Sequence, residues 1–251
     1  MTDKRMKVTW IARTPNPQQV IWASAHQCVC EGSLENVVLP SEEESGNRVV
    51  KHLLAGGRGH YSPLEAPAIT LNVIGYPHST MQQMRTHRVG VHFSVQSFRY
   101  TSGNILNIAR ACQVAPQEPS FLREMVEDAF YLRPTGSYSD RAGKHYYYTQ
   151  EQRLEDIEHC FEAARLYAKR LEEGMSEEHA RGLIPFDVRQ NWVMTVNVRS
   201  LMHILDLRAK EDAQLECHWL ADEMWRQLLA WAPAVANWYG KNRLGRAKLS
   251  P

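Results

Sequence analysis

Long apolar runs, abundant cysteine and an excess of one charge are all missing from this 251-residue sequence. No stretch approaches membrane-spanning length, and the opening MTDKRMKVTW has no apolar signal core. Cys28, Cys30, Cys112, Cys160 and Cys217 are an odd and scattered set. They do not form a disulfide framework or a four-thiolate zinc site, and Cys28 with Cys30 is only C-x-C. With 29 Lys and Arg against 28 Asp and Glu, the net charge is +1, which gives no global field for nucleic acid or membrane. Eleven histidines are present without metal-ligand spacing, so no metal is expected. Also absent are a G-x-G-x-x-G after a strand, a P-loop, an H-E-x-x-H and a G-x-S-x-G elbow. The expectation is a soluble cytoplasmic protein with free thiols, acting on a small molecule.

What is present suffices for a sizeable core, with 43% hydrophobic and 23% charged residues. Lys7–Ile11 reads as a strand. Asn16 is placed to cap a helix that starts at Pro17 and runs to about Cys28. Ser41–Ser45 reads as a solvated acidic stretch, and Asn47–Leu54 as a helix closed by Gly56 and Gly57. Ile69, Leu71 and Val73 alternate with Thr70 and Asn72, a half-buried strand. A short helix follows from Pro77 and Ser79 to about Arg85. Arg133–Lys144 is a turn-rich loop. Thr149 and Gln152 form a capping box for a helix with Leu154, Ile157, Phe161, Ala164, Ala168 and Leu171 on one face, ended by Gly174. Phe186–Val198 reads as a strand, and helix resumes from Arg199 onward. These elements predict an α+β fold of mixed helix and strand, one domain over residues 1–251, with a central sheet flanked by long helices.

Three stretches could carry chemistry. In Gly56–Glu65 the glycines allow close backbone approach to an anion, with Arg58 and His60 adding charge; a helix end and a turn explain the same residues. In Gln83–Tyr100, Arg85, His87, Arg88 and Arg99 are interleaved with Thr86, Ser94 and Ser97, side chains suited to phosphate. Val89, Val91, Phe93, Val95 and Phe98 argue against a fully solvated face. If Val95–Tyr100 is extended, Ser97 and Arg99 share one side and Phe98 the other. In Asn197–Glu216, helical spacing makes one row of Arg199, His203 and Leu207 and another of Arg208, Asp212 and Glu216. The second row could equally be a surface ion-pair ladder.

Together these blocks resemble the flavin-dependent thymidylate synthases. His60-Tyr61-Ser62-Pro63-Leu64-Glu65 matches an upstream H-x-[ST]-P-x-E element. Thr86-His87-Arg88, then eight residues, then Ser97-Phe98-Arg99-Tyr100, matches the R-H-R signature. Asn197 to Arg208, with Ala213, Gln214 and Glu216, matches the third block. The resemblance implies that Ser62, Glu65, Thr86, His87, Arg88, Val89, Asn197, Val198, Arg199 and His203 hold flavin adenine dinucleotide (FAD). It places a uracil nucleotide on Gln83, Met84, Arg85, Thr86, Gln96, Ser97, Phe98, Arg99, Arg181 and Arg208. Ser97 and Arg208 fall at catalytic positions, Arg208 matching an arginine that contacts the pyrimidine ring and helps ionise it. It further implies methylenetetrahydrofolate as carbon donor, NADPH as reductant, and a homotetramer with shared active sites. The chain departs from the pattern at Thr86 in place of arginine, at Ser94 and Val95 before the motif serine, at His203 and at Asp212.

Three functions are compatible with these residues. The first methylates dUMP to dTMP. The second applies the same chemistry to UMP, or to both nucleotides, in the synthesis of a modified nucleoside. The third is a flavin- or nucleotide-binding protein without methylase activity, or an RNA-binding module, against which the charge balance and the retention of Ser97 and Arg208 both weigh.

Overall fold

A computed structural model describes residues 3–56, 59–114, 119–140 and 142–246; Gly57 and Arg58 of the glycine-rich turn and the side chain of Cys112 lie outside the described residues. The chain order is β1 (Lys7–Arg13), α1 (Pro17–Gln27), α2 (Glu42–Val49) running on into a π turn (Val50–Leu54), a 3-10 turn (Ser62–Glu65), β2 (Ala68–Pro77), α3 (His78–Met84), β3 (Val91–Val95), α4 (Gly103–Val114) and α5 (Pro119–Ala129). It continues with β4 (Gly136–Ser139), β5 (His145–Tyr148), α6 (Gln150–Glu172), α7 (Glu177–Ala180), a 3-10 turn (Arg181–Leu183), β6 (Arg189–Asn197), α8 (Val198–Arg208), α9 (Leu215–Trp231) and α10 (Pro233–Asn242).

The central sheet has the order β1-β2-β6-β3, antiparallel throughout. The alternation read in β2 is real. Ile69, Leu71 and Val73 are fully buried, as are Met194 and Val196 of β6, so one sheet face enters the core. That core includes Leu201, Ile204 and Leu205 of α8 and Leu220, Met224 and Leu228 of α9. A second cluster joins α4, α5 and α6 through Ile105, Ile108, Val126, Phe130, Ile157, Ala164 and Tyr167. The Thr149–Gln152 capping box forms as expected, and Gly174 closes the end of α6 at φ 90°.

Several expectations change. Asn16 adopts a left-handed backbone and its side chain caps nothing. The start of α1 is capped instead by Glu42, whose carboxylate accepts from the Gln18 and Gln19 amides at 2.9 and 2.8 Å. Ser41–Ser45 is largely exposed, as expected, but it is also structured: Ser41 caps α2, Glu42 turns to α1 and Ser45 is buried. Arg133–Lys144 contains β4, which pairs with β5 as a hairpin. Its turn is organised by Asp140, which accepts from the Ala142 and Lys144 amides. The sheet edge β3 stops at Val95, and Phe98–Tyr100 forms a turn. The extended arrangement of Ser97, Phe98 and Arg99 does not occur, because the Tyr100 amide donates back to Ser97 O at 2.9 Å.

Candidate active site

Two strands deliver the chain to the site. β2 passes directly into α3, and β6 passes into α8, where Asn197 caps the helix by accepting from the Ser200 amide at 2.8 Å. Between the end of α3 and the exit of β3 lies a cavity of about 480 Å³. Arg85, Gln96, Ser97, Phe98 and Arg181 line it, although Arg181 is remote from the others in sequence. Two guanidinium groups and a hydroxyl meet apolar walls from Met81, Ile184 and Phe186. That combination suits an anion attached to a flat ring. Arg99 is not among the lining residues; it lies at the surface over the Tyr100 ring, 5.6 Å from its centroid. Met84 is fully buried, so its side chain belongs to the core, and only its backbone could face a nucleotide.

A second cluster forms where α3 and α8 both end. Arg208 donates from Nε to His87 Nε2 at 3.2 Å, and from Nη1 to Gln83 Oε1 at 3.1 Å. Its Nη2 donates to Gln83 O at 3.1 Å and to Thr86 Oγ1 at 3.3 Å. The expected Arg208–Asp212–Glu216 row does not exist, because α8 ends at Arg208 and α9 begins only at Leu215. His203 meets His87 edge-on, with ring centroids 5.4 Å apart.

His87 is not the cation its sequence position suggested. Burial above all, then Arg208 and His203, pushes its pKa down to about 4 from 6.5. It accepts from a guanidinium through Nε2, so the neutral ring carries its proton on Nδ1. The native state binds fewer protons than the unfolded chain between these values. Stability from this group is therefore complete above pH 6.5 and is lost as pH falls toward 4. A His87→Gln protein, which cannot take up that proton, is expected to lose less stability across this window. Thermal melts of both proteins at steps of pH test this, and parallel curves would contradict it.

Of the expected flavin positions, Glu65, Val89, Asn197, Val198 and Arg199 gather around the start of α8, whereas Thr86 and His87 contact Arg208 at its end. Arg199 pairs with Glu65 at 2.6 Å, joining the 3-10 turn to the helix. Ser62, in the same 3-10 turn as Glu65, is exposed, and so are Arg88 and Val89. The loop through Val89 is pinned to α8, since Ser200 Oγ donates to Val89 O at 2.7 Å. Gly90 permits this approach. At φ 65° its Cβ would lie 2.2 Å from Asn197 Nδ2 and 2.4 Å from Ser200 Oγ. Val198 is fully buried, so only its backbone at the helix N-terminus can face a ligand. Exposed guanidinium groups, a hydroxyl and the first amides of α8 fit the pyrophosphate of a dinucleotide.

Sequence reasoning missed several neighbours. His78 and Gln190 line the cavity and join at 2.8 Å, and His78 meets Phe186 edge-on; no spacing signal marked them. Glu216, expected in a row with Arg208, is fully buried and instead accepts from Arg133 Nε and Tyr131 OH, both at 2.8 Å. Burial would raise its carboxyl, but Arg133, Gln214 and Tyr131 outweigh that and hold it below its ordinary value. Cys217 beside it is buried, with its thiol pushed up to about 11, chiefly by burial, and is a poor nucleophile at neutral pH. Among the described residues no cluster of His, Cys, Asp or Glu could hold a metal, and no helix is long and apolar enough to cross a membrane.

Comparison with known proteins bears on the family and the fold. Residues 9–234 match the family described as thymidylate synthase complementing protein. A flavin-dependent thymidylate synthase of Haloarcula marismortui is 30% identical, over 98% of this chain and all of its own. That of Halobacterium salinarum is 29% identical, over 95% and 99%. In fold, the chain is similar to the UMP/dUMP methylase PolB of Streptomyces cacaoi solved with 5-Br dUMP, with TM-score 0.70, 21% identity, and 98% and 97% of the two chains covered. It is also similar to the thymidylate synthase ThyX of Helicobacter pylori solved with FAD and dUMP, with TM-score 0.63, 19% identity, and 88% and 92% covered. The matched length and the three ordered sequence blocks place this chain in the family of flavin-dependent thymidylate synthases.

Proposed function

We propose that this chain is one catalytic domain that methylates carbon 5 of dUMP to give dTMP, with FAD bound, methylenetetrahydrofolate as carbon donor and NADPH as reductant. The observation that carries the reading is the convergence of Arg85, Ser97 and Arg181 on one cavity, next in sequence to the Thr86 hydroxyl that accepts from Arg208. Arg85, Ser97 and Arg181 take the nucleotide phosphate, and the apolar wall takes the base. Arg208 lies in the adjoining cluster, outside the residues that line the cavity, and presents its guanidinium to the end of the pyrimidine ring that reaches it. Carbon 5 of uracil is a weak nucleophile, and drawing the ring toward its anion activates it, with the guanidinium stabilising the charge that develops. A neutral His87 leaves the positive charge of that pair on Arg208. Bound flavin would supply the hydride that completes the methyl group.

Cytoplasmic location and a homotetramer belong to the same proposal. Arg99 and Tyr100 lie at the surface outside the cavity, where they would complete a site on a neighbouring copy.

UMP is the second substrate to consider. Gln190 and His78 in the cavity wall offer the additional polar partners that a 2′-hydroxyl needs.

The flavin half of the reading is tested by absorbance after purification. The wild-type protein is expected to carry flavin, and Arg88→Ala to lose most of it. Equal flavin content in the two proteins would remove Arg88 from the cofactor site.

A further inference from the structure

Between the proposed ring-facing arginine and the buried carboxylate runs a chain of two glutamines. Arg208 Nη1 donates to Gln83 Oε1 at 3.1 Å. Gln83 Nε2 donates to Gln214 Oε1. Gln214 Nε2 donates to Glu216 Oε2 at 2.7 Å, and also to Ser79 Oγ at 3.2 Å. The two ends settle its direction. A guanidinium can only donate and an ionised carboxylate can only accept. Between such ends, two amides in series must both point the same way, carbonyl toward the arginine and NH₂ toward the carboxylate. Glu216 stays ionised because Arg133 and Tyr131 donate to it as well.

We propose that Gln214, anchored by Glu216, is a positioning residue that sets the orientation of the Gln83 amide and through it the placement of the Arg208 guanidinium. Without this anchor Gln83 is free to turn its NH₂ toward Arg208. Two donors would then face each other, and the Nη1 edge of the guanidinium would swing away while Nη2 stays held by Gln83 O and Thr86 Oγ1. The relay also ties three elements at one point, since Gln83 lies in α3, Arg208 ends α8 and Gln214 immediately precedes α9.

The inference rests on Arg208 acting on the ring, so its test must fail separately from that reading. Gln214→Met keeps side-chain length and removes both hydrogen-bonding ends. It is expected to lower kcat about ten-fold, the effect of losing one hydrogen bond of ordinary strength, with KM changed less than about two-fold. The loss is bounded because Gln83 O and Thr86 Oγ1 still hold Nη2. The acid limb of the kcat pH profile is expected to move up, as a displaced guanidinium stabilises the ring anion less well.

In a Gln83→Leu background, adding Gln214→Met is expected to have no further effect. Independent, additive losses, or a kcat loss with an unmoved acid limb, would overturn the relay. Crystal structures of the wild-type and Gln214→Met proteins supply a readout that needs no turnover. Arg208 Nη1 and Gln83 Oε1 are expected to part beyond hydrogen-bond distance in the variant. Their staying together would overturn the relay even if the nucleotide chemistry is as proposed, and their parting would uphold it even if it is not.

Discussion

Arg208→Ala is expected to remove turnover, by at least about 10²–10³-fold, the usual cost of deleting one preorganised group that meets developing charge. Flavin content is expected to stay largely unchanged, because Glu65, Val89 and Arg199 at the opposite end of α8 are untouched, although Thr86 and His87 lose their contacts with Arg208. Arg208→Lys is expected to recover little. The wild-type guanidinium uses all three of its nitrogens, on His87, Gln83 and Thr86, and an ammonium cannot reproduce that fork. Rates of product formation with flavin absorbance on the same samples measure both halves. Full activity in Arg208→Ala would remove it from the reaction. Loss of flavin together with activity would place it in the cofactor site instead.

The largest stability effect is expected at Glu216. It is fully buried and shares two contacts with Arg133, from Nε at 2.8 Å and Nη2 at 3.1 Å. Glu216→Ala would leave a guanidinium only partly exposed and without its carboxylate. Breaking such a pair from one side costs about 3–5 kcal/mol. For a chain of this size that lowers the melting temperature by roughly 10 °C. Replacing both partners with apolar residues, as in Glu216→Leu with Arg133→Met, is expected to restore much of the stability, because no lone charge remains. Activity is not expected to return with it, since the glutamine relay has lost its anchor. Denaturant unfolding of the three proteins decides the stability claim. A loss under about 1 kcal/mol in the single variant would show that the pair contributes little.

The elements most legible in the sequence were those whose signal is local. The capping box at Thr149 and Gln152 states its own geometry, and β2 shows its face through Ile69, Leu71 and Val73. The cap of α1 was not legible, because Glu42, which supplies it, lies in another segment and only the fold brings it close. The β4–β5 hairpin was hidden by a turn-rich composition that describes the turn as well as the strands. The site divides in the same way. Ser97 of the cavity was visible through its signature spacing, Arg85 through its place in the basic stretch, and Arg181 through the family resemblance alone. Two facts about them were not: that His87 is buried and neutral, and that Glu216 closes on Arg133 rather than on Arg208. Both depend on burial and on where α8 ends, which the regular spacing of Arg208, Asp212 and Glu216 disguised. His78, Gln190 and Phe186 carried no signal, since they reach the cavity only through the pairing of β2 with β6 and the segment leading into it.

Carbon 5 chemistry is tested by release of tritium from carbon 5 of labelled dUMP, with labelled UMP in parallel. Each reaction contains FAD, NADPH and methylenetetrahydrofolate. Release from dUMP that depends on all three is expected. Release from UMP at a comparable rate would extend the substrate to ribonucleotides. Release from neither nucleotide, by a protein that holds its flavin, would contradict the proposed chemistry.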